Sequence, residues 1–382
     1  MDNVGGRATR NWNVMRLWRK RQVILLAVFC YSMLHLPALA GPYVLVDVGT
    51  GRVLAQENAF QRWYPASLTK LMTAYVVFRE LESGRLQINS PVRISQNAAK
   101  EPPSKMGYSV GSVLTLDNAL KILMVLSAND IATALAESVA GSEEAFVARM
   151  NAEAQRLGMT DSHFINAHGL PGPSQFTTAR DLAILARALR AQFPQYASYF
   201  SIEGIRNGKS VKENTNFLIG RFDGADGMKT GYICSSGFNL VATATRGERT
   251  LAAVVLGAQS QVQRAEIAAD LLTRGFETQG LGAPSIVDLR PSEQVTEDVA
   301  DIRPEICSEE AVAKRMKERD DEGRLILTSP YVHPLERELR VVAVGLGGAI
   351  GEDPATPRYA NIPIPTPRPA YPPRPVAVQQ GG

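Results

Sequence analysis

The sequence predicts an α+β protein: a five-stranded antiparallel sheet flanked by helices, with a helical insertion, followed by a small β-rich C-terminal domain. Three observations carry this. A β-rich hairpin pattern opens the globular region at residues 43–55. Helical periodicity fills most of residues 67–192. Three apolar runs separated by short turns then follow at residues 227–257. Strands, then helices, then strands place the helical stretch as an insertion into one sheet.

The chain has 382 residues, enough for about two domains. Hydrophobic residues at 45% and charged residues at 21% are those of a globular protein with a full core. The net charge of +3 and the scatter of basic residues argue against a nucleic-acid partner. Four histidines and three cysteines show no zinc-type spacing, so the reading is that no metal and no cofactor is used.

Residues 1–40 read as a signal peptide. Arg7, Arg10, Arg16, Arg19, Lys20 and Arg21 precede an apolar run from Val23 to Leu34, and Ala38-Leu39-Ala40 forms a small-x-small site before Gly41. Cleavage after Ala40 is expected, with an uncleaved N-terminal anchor as the alternative. Either way the rest of the chain is exported, in a bacterium to the periplasm. Of Cys234 and Cys307, which remain after cleavage, the sequence permits a disulfide or two unpaired thiols.

Tyr43–Val48 and Arg52–Ala55 form the hairpin around Gly49-Thr50-Gly51. A helix is expected to start at Pro65 and run to about Glu82, with Leu68, Leu71, Met72, Tyr75 and Val76 on its apolar face. Leu116 to about Ala140 is helical, interrupted at Ser127-Ala128-Asn129-Asp130. Further helices are expected over Glu143–Leu157, from Thr178 to about Gln192, and over residues 260–275. Residues 285–350 lean toward β structure, with strands expected at Arg324–Leu327 and Leu339–Val344. The stretch 41–280 is therefore read as the main domain and 285–350 as the small one. Residues 351–382 carry a proline-rich composition that favours an extended or disordered tail.

Three short motifs stand in order: Ser67-x-x-Lys70, Ser127-x-Asn129 and Lys229-Thr230-Gly231. Ser-x-x-Lys alone arises by chance about once or twice in a chain this long. Their order and placement give the set its specificity. The first opens a helix after a hairpin, the second breaks a helical region, and the third lies on a strand. On the first, an amine sits one turn from a hydroxyl at a helix N-terminus. A serine needs a base to become a nucleophile, and a lysine with a lowered pKa supplies one.

This motif set resembles that of the serine D-alanyl-D-alanine carboxypeptidases, the low-molecular-mass penicillin-binding proteins of peptidase type S11. Tyr64–Ala74, Asn166–Leu170, Thr177–Asp181, Asn214–Asn216 and Asp226–Gly231 extend the likeness, which covers residues 42–275 well and 285–350 loosely. It implies a β-lactamase/D,D-peptidase-like domain. It also implies that Ser67 is the nucleophile, Lys70 its base and Ser127 a proton relay to the leaving amine. Asn129 would orient the substrate amide. Lys229 and Thr230 would hold the terminal carboxylate, and Gly231 would let substrate lie along the strand. Tyr232 and Ser67 would supply oxyanion N–H groups. The implied partners are a peptidoglycan stem peptide and inhibitory β-lactams. Many members of that family end in an amphipathic membrane helix, whereas the last residues here, Pro-Val-Ala-Val-Gln-Gln-Gly-Gly, carry no apolar face, so membrane attachment is expected to be at most peripheral.

The second motif reads Ser-Ala-Asn where many relatives have Ser-Gly-Asn, and Tyr232 stands where His is frequent. Cys234 reads as a packed small residue or a reactive thiol. His168 reads as structural, and Asp130 as a helix-surface or local hydrogen-bonding residue. The competing functions are a D,D-endopeptidase or β-lactamase on the same residues, and a non-catalytic wall-binding scaffold.

Overall fold

The computed structural model describes residues 41–291 and 297–350. The signal peptide expected at 1–40 and the proline-rich tail at 351–382 lie outside the described residues.

The expected five-stranded sheet is present. β1 (Tyr43–Asp47) and β2 (Val53–Glu57) form the opening hairpin. In the main sheet they join β7 (Ala225–Ile233), β8 (Gly237–Arg246) and β9 (Arg249–Ala258) in the order β2-β1-β9-β8-β7, all antiparallel. Successive side chains of a strand point to opposite faces, and here both faces are covered. Val44, Val46, Ala252, Val254 and Leu256 enter one core, while Leu45, Leu251, Ala253 and Val255 enter a second. Two buried faces explain why the late strands read as apolar runs rather than as alternation.

The insertion supplies the first core. A 3₁₀ turn at Ala66–Leu68 leads into α1 (Thr69–Glu82). This helix was expected to bury one face, yet every residue from Thr69 to Phe78 is buried. It runs through the middle of the domain, which its small residues Thr69, Thr73 and Ala74 permit. Around it lie β3 (Pro91–Arg93), α2 (Gln96–Lys100), β4 (Val113–Thr115), α3 (Leu116–Val125), α4 (Asn129–Ala140), α5 (Glu143–Leu157) and α6 (Ala179–Gln192). Side-chain oxygens of Thr115, Ser142 and Thr178 accept the N–H three residues on, capping α3, α5 and α6. β5 (Gly204–Asn207) and β6 (Ser210–Glu213) precede β7. α7 (Gln261–Glu277) covers the second face of the sheet with Ala268, Leu271 and Leu272.

The described residues of 285–350 hold a strand within the expected Leu339–Val344 and depart from expectation elsewhere. They form α8 (Arg303–Cys307), α9 (Glu309–Met316) and one three-residue strand, β10 (Val341–Ala343), parallel to β5. The expected strand at 324–327 is reduced to a single bridge between Arg319 and Leu325. Ile286 and Val344 belong to the same core as α1, so this segment wraps the main domain rather than building a core of its own. The short apolar runs that suggested strands are spent on that wrapping.

Candidate active site

The three motifs meet in one cleft of about 390 Å³, lined by Ser67, Ser127, Asn129, Thr230, Gly231 and Tyr232 among others. Ser67 sits in the 3₁₀ turn and Lys70 in the first turn of α1. Lys70 Nζ donates to Ser67 Oγ at 3.1 Å, to Asn129 Oδ1 at 2.8 Å and to the His168 carbonyl at 2.6 Å. Lys70 is fully buried. Burial, and then the charge of Lys229, hold its amine well below the usual lysine value, against the opposing pull of Glu101 and Asp130. The pair therefore has the geometry and the shifted amine that a serine nucleophile needs.

Ser127 lies between α3 and α4, where the helical pattern breaks. Its φ of 61° is in the left-handed region, which costs a non-glycine residue about 1 kcal/mol or more. Its hydroxyl has no protein partner among the described residues. Asn129 opens α4 and is held from outside: its N–H donates to Ser104 O at 2.7 Å and its Nδ2 to Pro102 O at 3.0 Å.

Lys229, Thr230, Gly231 and Tyr232 follow one another on β7, an edge strand of the main sheet. Lys229 is buried, and its Nζ donates to Thr230 O at 3.0 Å. Burial and the neighbouring Arg264 guanidinium push its amine down to about 7. Thr230 Oγ1 pairs with Thr215 Oγ1 at 2.6 Å. Tyr232 is 42% exposed at the rim, with its ring 4.3 Å from that of Phe238.

Gly231 has a structural task that the sequence reading did not foresee. A Cβ there would lie 2.9 Å from Pro65 O and 3.2 Å from the nitrogens of Ser67 and Leu68. The glycine lets β7 close against the turn that carries Ser67. Gly169, at φ 90°, does the same from the other side, since a Cβ would fall 1.9 Å from Ala66 O. The loop Asn166–Leu170 is thereby brought against the start of α1.

Arg264 was not singled out in the sequence. It is buried on α7, lines the cleft and donates to Thr215 O at 3.0 Å. Burial lowers it to about 9, so it stays a cation at neutral pH. No hydrogen bond or ion pair joins Lys229 or Arg264 to a carboxylate among the described residues. Two buried basic groups without an acid make a pocket for an anion. A signal existed: Arg264 shares its helix stripe with Ala268, Leu271 and Leu272, an odd place for a cation.

Two other readings are narrowed and a third stands. Cys234 and Cys307 form a disulfide that ties the end of β7 to α8, so neither is a free thiol. Asp130 is buried rather than on a helix surface, and accepts from Met106 N and Gly107 N at 3.1 and 2.9 Å. It fastens the loop before β4 to α4. His168 contacts Lys70 only through its carbonyl, in keeping with a structural part. Its ring lies near Glu101 and Glu143, the one group of potential metal-ligating side chains among the described residues.

Comparison with known proteins fits this geometry. The model of peptidase family S11, D-alanyl-D-alanine carboxypeptidase, matches residues 35–260. The chain belongs to this family. D-alanyl-D-alanine carboxypeptidase DacD of Salmonella typhimurium is 40% identical over 247 residues, which are 63% of each chain. The match thus spans less than two thirds of that relative's length. Penicillin-binding protein 6B from Escherichia coli superposes with a TM-score of 0.60 at 38% identity, covering 64% of this chain and 79% of that one. Penicillin-binding protein D2 from Listeria monocytogenes, in its cefotaxime-bound form, gives 0.57 at 28% identity, covering 62% and 97%. The fold shared with these S11 and penicillin-binding proteins is the sheet and its helical insertion. α7 and the whole of the wrapping segment after it fall outside the family match.

Proposed function

We propose that this chain is an exported serine D,D-carboxypeptidase that removes the terminal D-alanine from peptidoglycan stem peptides through an acyl-enzyme on Ser67. The observation that carries the reading is the buried Lys70 amine 3.1 Å from Ser67 Oγ, beside two basic groups that lack an acidic partner among the described residues.

Once neutral, Lys70 keeps its two N–H bonds to Asn129 Oδ1 and the His168 carbonyl, and its lone pair takes the Ser67 proton as Oγ attacks the carbonyl carbon of the penultimate D-alanine. The N–H groups of Ser67 and Tyr232 stabilise the oxyanion that develops. The C–N bond then breaks. The leaving nitrogen receives a proton through Ser127, whose hydroxyl has no other partner among the described residues, and D-alanine departs. Water hydrolyses the ester and restores Ser67. Lys229, Thr230 and Arg264 hold the terminal carboxylate, and Asn129 orients the substrate amide while seating Lys70.

A β-lactam presents a strained amide to the same serine and stays attached after ring opening. A relative bound to cefotaxime supports this. Export is supported by the pattern of residues 1–40 and by a disulfide, which persists in oxidising compartments. Among the described residues no helix is long and apolar enough to cross a membrane.

The test is D-alanine release from an uncross-linked pentapeptide wall fragment by the exported protein and by Ser67→Ala. Release by the first alone is expected. Release by both would refute the nucleophile, and faster cleavage of cross-linked muropeptides would replace the carboxypeptidase reading with an endopeptidase.

A further inference from the structure

Glu101, Glu143 and His168 belong to none of the three motifs. They come from the end of α2, the start of α5 and the 166–170 loop, yet their functional atoms lie within 4.8 Å of one another. His168 Nε2 is 3.4 Å from Glu101 Oε1 and 3.9 Å from Glu143 Oε1. The Leu170 N–H donates to His168 Nδ1 at 3.1 Å, which leaves the ring proton on Nε2, facing the carboxylates. A metal ion would need the Nε2 lone pair, so the donor set reads as a hydrogen-bonded cluster. Each carboxylate has a further partner: Thr133 Oγ1 donates to Glu101 at 2.9 Å and Ala167 N to Glu143 at 3.0 Å.

The two backbone segments joined here are the ones that seat Lys70. The His168 carbonyl is its shortest acceptor. Its other acceptor besides Ser67 is Asn129, which is held by the carbonyls of Pro102 and Ser104, just past Glu101.

We propose that Glu101, Glu143 and His168 form a positioning clasp that locks residues 101–104 to the 166–170 loop and so fixes Lys70 Nζ against Ser67. The proposal rests on the reading of Lys70 as the base. The three side chains act through Lys70 rather than on substrate. The clasp also sets charge. Facing Lys70 are Lys229 from β7, Asp130 from α4 and Glu101, with His168 and Glu143 behind Glu101 and with Arg264 behind Lys229. Glu101 and Asp130 favour the ammonium form, and Lys229 opposes it.

The experiment compares wild type, His168→Ala and Glu101→Gln in two readouts: Ser67 acylation by a fluorescent penicillin as a function of pH, and kcat and KM for D-alanine release. His168→Ala keeps the carbonyl but frees the loop, so kcat should fall about tenfold or more with KM little changed, as for a displaced catalytic group. Glu101→Gln keeps both hydrogen bonds and removes the charge. The acid limb of acylation should therefore move to lower pH, by about one unit. If His168→Ala fails to fold by near-UV circular dichroism, His168→Gln carries the kinetic test. Wild-type kinetics in a folded His168 variant overturns the clasp, and an unmoved acid limb in Glu101→Gln overturns its part in setting the charge on Lys70. A wild-type protein that neither takes penicillin nor releases D-alanine overturns the reading of the site itself, and the clasp with it.

Discussion

Lys70 donates to Ser67 Oγ over 3.1 Å from a fully buried position, and the charge of a second buried amine, Lys229, bears on it. The pH dependence follows from the two shifts. If Lys70 is the base, as proposed, acylation needs its neutral form, so the rate should rise with pH as that proton leaves. Because Lys70 lies well below the usual lysine value, the rise falls far below pH 10. In the proposed mechanism carboxylate binding uses the Lys229 ammonium, which in the free protein is lost as pH rises through about 7. A bell in kcat/KM is expected, its alkaline limb beginning near neutrality. In kcat that limb should lie higher, since bound carboxylate stabilises the ammonium. Steady-state kinetics across pH check this, with the two limbs assigned to the coupled pair. A kcat/KM still rising through pH 9 would contradict it.

Gly231→Ala is expected to damage the site more than its one methyl suggests. The new Cβ meets backbone atoms of Pro65, Ser67 and Leu68, which cannot swing away like a side-chain tip. Overpacking of this kind costs about 1–3 kcal/mol. The strand and the serine turn must separate, so penicillin acylation should slow by about tenfold to a hundredfold. Thermal unfolding and acylation rates measure the two effects. A substitution neutral in both would mean that the turn and strand have slack.

Much of this was legible in the sequence, for identifiable reasons. The sheet was readable because Tyr43–Val48 and Leu251–Gly257 are apolar runs bounded by glycine turns. The break at Ser127 was readable because small and polar residues interrupt an apolar stripe. What escaped is long-range. Nothing near Glu101 in the chain indicates that it will meet His168, and the Cys234–Cys307 pairing depends on where α8 docks. Gly231 was legible as a needed glycine, but its reason was not, because the atoms it makes room for lie more than 160 residues away in the turn at Pro65. Residues 285–350 misled because short apolar runs signal burial without saying whose core receives them.

The Cys234–Cys307 bridge closes a loop with a sequence separation of 73. Removing such a constraint typically costs about 2–4 kcal/mol. It also frees α8, whose Ile306 packs on Phe238 and Ala258. The double variant Cys234→Ser/Cys307→Ser, or the reduced protein, should unfold at lower temperature. Acylation at 25 °C should fall less than about tenfold, because Ser67 and Lys70 make no contact with the bridge. Differential scanning calorimetry with and without reductant checks the first part. Loss of acylation before any loss of fold would assign the bridge a direct part in the cleft.

Arg264 separates recognition from chemistry. It is a buried cation lining the cleft, with a hydrogen bond to Thr215 O and none to an acid among the described residues. Arg264→Gln should raise KM for peptides ending in a free carboxylate by about tenfold to a hundredfold, the worth of a charge-assisted hydrogen bond. It should matter far less for the same peptide with an amidated end. Removing the guanidinium also removes the repulsion that helps hold Lys229 at about 7. The Lys229 amine should therefore rise, carrying the alkaline limb of kcat/KM to higher pH. The two effects oppose each other at pH 8 and above, where wild type has lost the Lys229 charge and the variant has kept it. The KM penalty should accordingly shrink as pH rises. A penalty independent of pH would mean that the two cations do not sense one another.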